Sequence, residues 1–123
     1  MAKVSIDLGG ANRTLRYEMN ALSELEGALH FTMEEIGRRF KRGRIGTRDI
    51  RGLIWAGLLH EDEDLTLRQV GDWLNEAGFL KDEKTRDTLL EKVFNALSES
   101  FPEAAKKAAK DDGAATVEAA DPN

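Results

Sequence analysis

Apolar and polar positions alternate along the first twenty residues, which is the period of an extended strand. Two such segments are separated by GGANR, which supplies turn residues. Their apolar positions are Val4, Ile6 and Leu8, followed by Leu15, Tyr17 and Met19. Since a lone hairpin is only marginally stable in water, its apolar face should pack against other elements. The pattern therefore predicts an N-terminal β-hairpin that lies on the rest of the fold.

From Asn20 onwards, apolar residues recur every three or four positions, which is the period of a helix. The predicted helix starts are Asn20 as a cap, Thr32, the residue after Thr47, Thr66, and a position between Asp82 and Thr85. The fourth helix ends at Gly78 and the fifth before Pro102. The core-facing residues of the first four helices are Leu22, Leu25 and Leu29; Met33, Ile36 and Phe40; Ile50, Leu53, Ile54 and Leu58 with Trp55; and Leu67, Val70 and Leu74 with Trp73. The fifth helix presents a continuous apolar face of Leu89, Leu90, Val93, Phe94 and Leu97. We expect a mainly α fold, a small bundle of four to five helices with an N-terminal β-hairpin.

Two of the helix starts carry a capping box. In such a box, a threonine and the residue three positions later each accept a hydrogen bond from the other's backbone N–H, and an apolar pair brackets the turn as a hydrophobic staple. The boxes are Thr32 with Glu35 and Thr66 with Gln69, and the staples are Phe31 with Ile36 and Leu65 with Val70. Glu35 is therefore interpreted as a cap rather than as a catalytic acid.

The chain has 123 residues, of which 41% are hydrophobic, and this length fits one domain over residues 1–101. Residues 102–123 are rich in alanine and charge, with one valine as their only large apolar residue, so we expect a mostly disordered tail. There are no cysteines, which excludes disulfides and thiolate sites. No apolar run approaches the roughly 20 residues that span a bilayer, so no membrane partner is expected.

Catalytic and metal-binding patterns are not recognisable. Glu24 and Glu26 flank Leu25 and lie off its apolar stripe, where carboxylates are usually solvated. His30 and His60 are the only histidines, and neither belongs to a nucleophile triad. The stretch HEDEDLTLRQV departs from an EF-hand at several ligand and turn positions, which favours a solvated loop over a metal site. We expect no enzyme, no metal and no cofactor.

Charge is concentrated in residues 38–51, which hold seven basic residues and one acid. This local balance of +6 leaves −11 for the rest of the chain, because the total is −5. The candidate anion-binding residues are Arg38, Arg39, Lys41, Arg42 and Arg44. One alternative is a nucleic-acid-binding regulator, but the third helix lacks Asn, Gln or Lys to read bases. An acidic protein partner, or the chain's own acidic tail, is favoured over nucleic acid.

Three blocks of residues carry a family resemblance. They are Ala21, Leu22, Leu25 and Glu26; Leu53, Ala56, Gly57 and Leu58; and Leu65, Thr66 and Val70. In this pattern and order, residues 13–101 resemble the small tail assembly chaperones of tailed phages and gene transfer agents, some of which are minor tail or tail tube components. Gln69 stands where a glutamate is more usual, and a capping box tolerates that change.

The resemblance implies a helper without enzymatic activity in the host bacterial cytoplasm. Such chaperones bind the tape measure protein and tail tube protein during assembly. The apolar residues Val93, Phe94, Leu97 and Phe101 extend the fifth helix towards the tail, so they are the candidate partner surface, with burial in the core as the alternative. A homo-oligomer and a minor structural component that remains in the particle stay open, as do the host, the phage type, and the role of the tail.

Overall fold

The computed structural model describes residues 4–100 and contains, within that range, two strands and five helices. They are β1 (Val4–Leu8), β2 (Ala11–Leu15), α1 (Met19–Leu29), α2 (Met33–Lys41), α3 (Thr47–Leu58), α4 (Leu67–Glu76) and α5 (Glu83–Ser100). The predicted mainly helical bundle with an N-terminal hairpin is confirmed. Residues 102–123, and with them the prediction of a disordered tail, lie outside the described residues.

The hairpin turns on two glycines. β1 pairs antiparallel with β2 so that Leu8 lies opposite Ala11, and Gly9 and Gly10 between them have φ values of 64° and 77°. Two consecutive positive φ values match the tight turn whose twist suits a hairpin, and glycine adopts them without steric cost. The prediction for Met19 is wrong, because the second strand ends at Leu15 and Met19 begins α1 with 79% of its surface exposed.

Helix α3 lies at the centre of the fold and packs against α1, α4, α5 and β2. Leu53, Ile54 and Ala56 are completely buried. A Cβ on Gly57 would lie 2.7 Å from a Leu15 methyl carbon, so the absence of a side chain lets the end of β2 approach closely. At that contact the backbone N–H of Arg16 donates to the Gly57 carbonyl at 2.9 Å. At Gly57 the hairpin is therefore joined to the bundle both by a backbone hydrogen bond and by the packing of the Leu15 side chain.

Tyr17 anchors the same junction. Its hydroxyl donates to the Leu53 carbonyl at 2.6 Å, and its ring is buried. Because burial disfavours the phenolate, the pKa of Tyr17 is raised well above its usual value. The residue fills the core as the alternation predicted, and its one polar atom has a partner.

Side chains cover both outer edges of the hairpin. On β2, the Thr14 N–H donates to the Glu61 carboxylate at 3.1 Å, and the Thr14 carbonyl lies 2.8 Å from Nε2 of His60. On β1, the Lys92 ammonium donates to the Ser5 carbonyl at 2.7 Å. Since open strand edges invite pairing with other chains, these contacts occupy one position on each edge of the short sheet.

The predicted helix caps have mixed outcomes. Thr66 and Gln69 form the complete box, with Oγ1 of Thr66 accepting at 3.1 Å and the Gln69 side chain accepting from the Thr66 N–H at 3.0 Å. Thr32 accepts from the Glu35 N–H at 3.2 Å, but the Glu35 carboxylate binds arginines of its own helix instead of closing the box. The assignment of Asn20 as a cap is wrong, because α1 already begins at Met19.

The turn between α4 and α5 follows the prediction closely. Gly78 has φ 86°, and the Phe79 N–H donates back to the Leu74 carbonyl at 3.0 Å, which is the Schellman arrangement. Helix α5 then starts after Asp82, whose carboxylate accepts from the Thr85 hydroxyl at 2.6 Å. This hydrogen bond favours the ionised form and lowers the pKa of Asp82.

Candidate functional site

Two acids of α1, Glu24 and Glu26, were considered as catalytic candidates. Glu24 is exposed, as the apolar spacing predicted. The Glu26 carboxylate accepts from the Met33 N–H at 2.8 Å and so satisfies a backbone donor at the start of α2. Glu26 therefore connects two helices, a role that spacing within α1 does not reveal.

His60 is engaged by the hairpin through its contact with the Thr14 carbonyl. Over the described part of the chain, no group of three or more His, Cys, Asp or Glu side chains is arranged to hold a metal ion. Within residues 4–100, no helix has both the length and the apolar character needed to cross a membrane.

The apolar surface predicted on α5 is divided by its surroundings. Val93 is completely buried and belongs to the core, so it is not accessible to a partner. Phe94 is 44% exposed, and Leu97 is partly buried against the core. Phe101 lies outside the described residues. On α5, Phe94 is therefore the large apolar side chain that is exposed to solvent.

Phe40 of α2 contacts the exposed ring of Phe94. The ring centroids are 5.9 Å apart and the planes are inclined by 55°, a tilted geometry typical of aromatic pairs. Phe40 was predicted to face the core, and it does pack partly against it. Sequence spacing gives no sign of the contact with Phe94, because 54 positions separate the two residues. Together they form what we term the α2–α5 seam, with Leu90 and Leu97 on either side of Phe94.

Two arginines of the basic segment are paired within the chain. Arg38 lies 3.0 Å from the Glu35 carboxylate and 3.7 Å from that of Glu34. Arg39 lies 3.5 Å from both Glu35 and the buried Asp49, and its guanidinium stacks 3.9 Å from the Phe31 ring centroid. Much of the charge on this part of α2 is thereby compensated.

Three cations further along the segment have no carboxylate partner among the described residues. Arg42 and Arg44 are exposed, and neither forms an ion pair there. The Lys41 ammonium is shielded from solvent and has no hydrogen-bond acceptor. An ammonium removed from water without an acceptor carries a desolvation cost. The candidate patch of five residues thus separates into two groups. Arg38 and Arg39 form ion pairs, and Lys41, Arg42 and Arg44 form none with residues 4–100.

An open cleft of about 440 Å³ lies beside the hairpin turn, between the turn and α4. Trp73 forms part of its wall, and the Arg13 guanidinium lies 4.1 Å from the centroid of that ring. The remaining polar lining includes Asp7 and Asn12, which hydrogen-bond to each other at 2.9 Å. This hydrogen bond and the stacking of Arg13 on Trp73 stabilise the turn.

The family comparison covers most of the chain. A family model described as phage tail tube protein, GTA-gp10, matches residues 1–96. That description names a component of a tail and no chemical reaction. Comparisons with curated proteins and with solved structures gave no match.

Proposed function

Because the chain belongs to the phage tail tube protein, GTA-gp10, family, and is thus a tail-related phage protein, we propose that it is a tail assembly chaperone. In this role it binds the tape measure protein through apolar helix surface and assists tail tube assembly in the host bacterial cytoplasm. It acts by binding alone, without ATP hydrolysis or a cofactor. Helix-in-groove binding is a common way for helical proteins to cover an amphipathic partner.

The observation that carries the proposal is the exposure of Phe94 on α5. Leu90, Phe94 and Leu97 are separated by four and three residues, so they share one face of the helix. Large aromatic side chains at the centre of an apolar patch contribute much of the affinity in protein interfaces. A strip of this kind suits a partner that is bound during assembly and released afterwards.

A structural component that stays in the particle is the second candidate, and the family description favours it. Permanent ring or tube subunits usually bury about 2,000 Å² or more in markedly apolar interfaces. Within residues 4–100, the large apolar side chains with substantial exposure are Met19, Leu80 and Phe94. So few exposed apolar groups favour transient contact over a permanent tube wall.

Co-expression with the cognate tape measure protein tests the proposal. We expect the tape measure protein to become soluble and to co-purify with the chain in the absence of ATP. If it stays insoluble with the chain present, the chaperone function is wrong. Mass spectrometry of purified particles separates the second candidate, since a chaperone is absent from them and a structural component is present.

A further inference from the structure

We infer that the α2–α5 seam binds an amphipathic helix whose apolar stripe is flanked by carboxylates. The inference rests on the proposed function and deepens it, because it assigns the binding surface and the chemistry of the partner segment. Two features support it: an aromatic pair of which Phe94 is exposed and Phe40 partly buried, and a group of cations that follows Phe40 in sequence and has no carboxylate partner among residues 4–100.

The apolar part of the seam is formed by both helices. Phe40 and Phe94 contact each other at 5.9 Å across it, and Phe94 keeps 44% of its surface exposed. Leu90 and Leu97 extend the strip one turn in each direction along α5. The strip is therefore two to three helical turns long, which matches the i, i+3, i+4, i+7 anchors of a short amphipathic helix.

Helix α2 is attached to the rest of the fold at few points. Ile36 is the helix's only fully buried residue, and Phe40 is partly exposed beside Phe94. Polar contacts hold its beginning and middle, through Glu26 at Met33 and Asp49 at Arg39. Phe40 is the one apolar residue of its C-terminal turn, and it packs against the core from its partly buried position.

A group of cations follows Phe40 directly in sequence. Lys41 is the next residue, and its ammonium is shielded from water and has no acceptor among residues 4–100. Arg42 and Arg44 are exposed in the following turn and form no ion pair with described residues. Arg38 and Arg39, one turn earlier, already have carboxylates. A partner that brings carboxylates beside its apolar stripe would supply the missing acceptors.

Other occupants fit this surface less well. A second copy docked by two-fold symmetry would place the same cations of both copies near one another. Nucleic acid would use the three cations that have no carboxylate partner among residues 4–100, but it would leave the aromatic pair without a partner, and the chain's net charge of −5 would oppose it. The chain's own residues 101–123 supply carboxylates, but their large apolar groups are Phe101 and Val117 alone, sixteen positions apart, which do not make the continuous apolar stripe of a short helix.

Site-specific photocrosslinking in cells that express the complete tail gene cluster tests the surface. The crosslinker p-benzoylphenylalanine is placed at position 94 and, as matched controls, at the exposed apolar positions 19 and 80. We expect position 94 to crosslink to a segment of another tail protein whose apolar heptad positions are flanked by Asp or Glu. Positions 19 and 80 should give about ten-fold less of that product, since they lie outside the seam.

Charge reversal tests the partner's chemistry. Arg42→Glu combined with Arg44→Glu should reduce the crosslink at position 94 about ten-fold at low salt, because it places carboxylates against carboxylates. The control Arg68→Glu combined with Lys81→Glu makes the same change in net charge at exposed positions elsewhere. This control should leave the yield of the position-94 crosslink within about two-fold of the wild-type yield.

The outcomes separate this inference from the proposed function. If the tape measure protein crosslinks from positions 19 or 80 but not from position 94, the chaperone function stands, but the α2–α5 seam is not the binding surface. A position-94 product with a basic segment, a second copy, or residues 101–123 of the chain itself also overturns the inference. If no position crosslinks to a tail protein and co-expression fails to solubilise the tape measure protein, the proposed function falls as well.

Discussion

The hairpin turn rests directly on α4, because a Cβ built on Gly9 would lie 2.4 Å from Cε2 of Trp73. Gly9 also has φ 64°, a conformation that residues with side chains rarely adopt. The Arg13 guanidinium, which donates to the Gly9 carbonyl at 3.2 Å, covers the same indole ring. One glycine therefore determines both the shape of the turn and its distance from the helix beneath it.

Replacing Gly9 by alanine should lower the free energy of unfolding by about 3 kcal/mol. About 1–2 kcal/mol comes from the left-handed backbone and about 1–3 from the collision with Trp73. Gly10→Ala is the matched control, since Gly10 has φ 77° but no atom within 4 Å of a built Cβ. The Gly10→Ala variant should lose only about 1 kcal/mol of its free energy of unfolding. Equal losses in urea denaturation would contradict the close contact with Trp73.

Gly57→Ala should cost about 2 kcal/mol, because its new methyl group would lie 2.7 Å from Leu15 and 3.0 Å from Tyr17. Gly27→Ala provides the comparison on α1, where nothing lies within 4 Å. That change should raise the free energy of unfolding by about 0.5–1 kcal/mol, because alanine is the better helix former. Thermal unfolding followed by circular dichroism measures both, and a neutral Gly57 variant would rule out tight packing of the hairpin on α3.

Removing the Tyr17 hydroxyl by Tyr17→Phe should cost about 1 kcal/mol near neutral pH, through loss of the hydrogen bond to Leu53. Above the ordinary tyrosine pKa of 10.0, the unfolded chain ionises while the buried hydroxyl stays protonated. The wild-type protein therefore loses stability as the pH rises past about 10, and its advantage over the variant shrinks. Urea midpoints on both sides of this pH measure the effect.

Absorbance provides an independent check of the same residue. Tyr17 is the only tyrosine in the chain, so tyrosinate absorbance reports on it alone. In the folded protein the signal should remain absent until alkaline unfolding begins. Titration with an ordinary midpoint while the far-ultraviolet spectrum stays native would mean that the hydroxyl is accessible to water.

The cap at Thr66 should tolerate aspartate but not alanine. Thr66→Ala removes the acceptor for the Gln69 N–H and should cost about 1 kcal/mol, whereas Thr66→Asp retains an acceptor and should cost almost nothing. Chemical denaturation of both variants gives the comparison. Similar losses for the two would indicate that the side chain at position 66 does not cap α4.

Deleting residues 104–123 should change the free energy of unfolding by less than about 1 kcal/mol, a shift of a few degrees in melting temperature. The expectation comes from composition, because this segment has a single large apolar residue with which to form a core. Differential scanning calorimetry of the shortened and full chains decides it. Collapse of the fold after truncation would show that the segment contributes to the core.

Local patterns predicted the local structure well. The Thr66 box and the left-handed Gly78 each depend on a few neighbouring residues whose backbone preferences agree. The hairpin turn was predicted over residues 9–13 but is confined to Gly9 and Gly10, because Ala11 already pairs with Leu8. The apolar periodicity likewise identified Leu25, Leu53 and Val70 as core. Such features follow from sequence because the interacting groups lie within a few positions of one another.

The candidate site depended on contacts between distant residues. Glu35 is a local exception, because arginines three and four positions later bind its carboxylate in place of the cap. The division of the fifth-helix strip into buried Val93 and exposed Phe94 depends on which elements lie beside α5. The contact of Phe40 with Phe94 and the separation of the cations into paired and unpaired groups likewise require the tertiary arrangement, which periodicity does not contain.

The bond from Lys92 to Ser5 has a consequence for biosynthesis. It joins the first described strand to the last described helix across 87 positions, and β1 packs against that helix. A ribosome adds about 5–20 residues per second, so the hairpin emerges seconds before the helix that covers it. The hairpin can pack on α3 and α4 as they emerge, but β1 gains the cover of α5 only when that helix has been synthesised. Folding of this protein is therefore completed only after nearly all of the described chain has been translated.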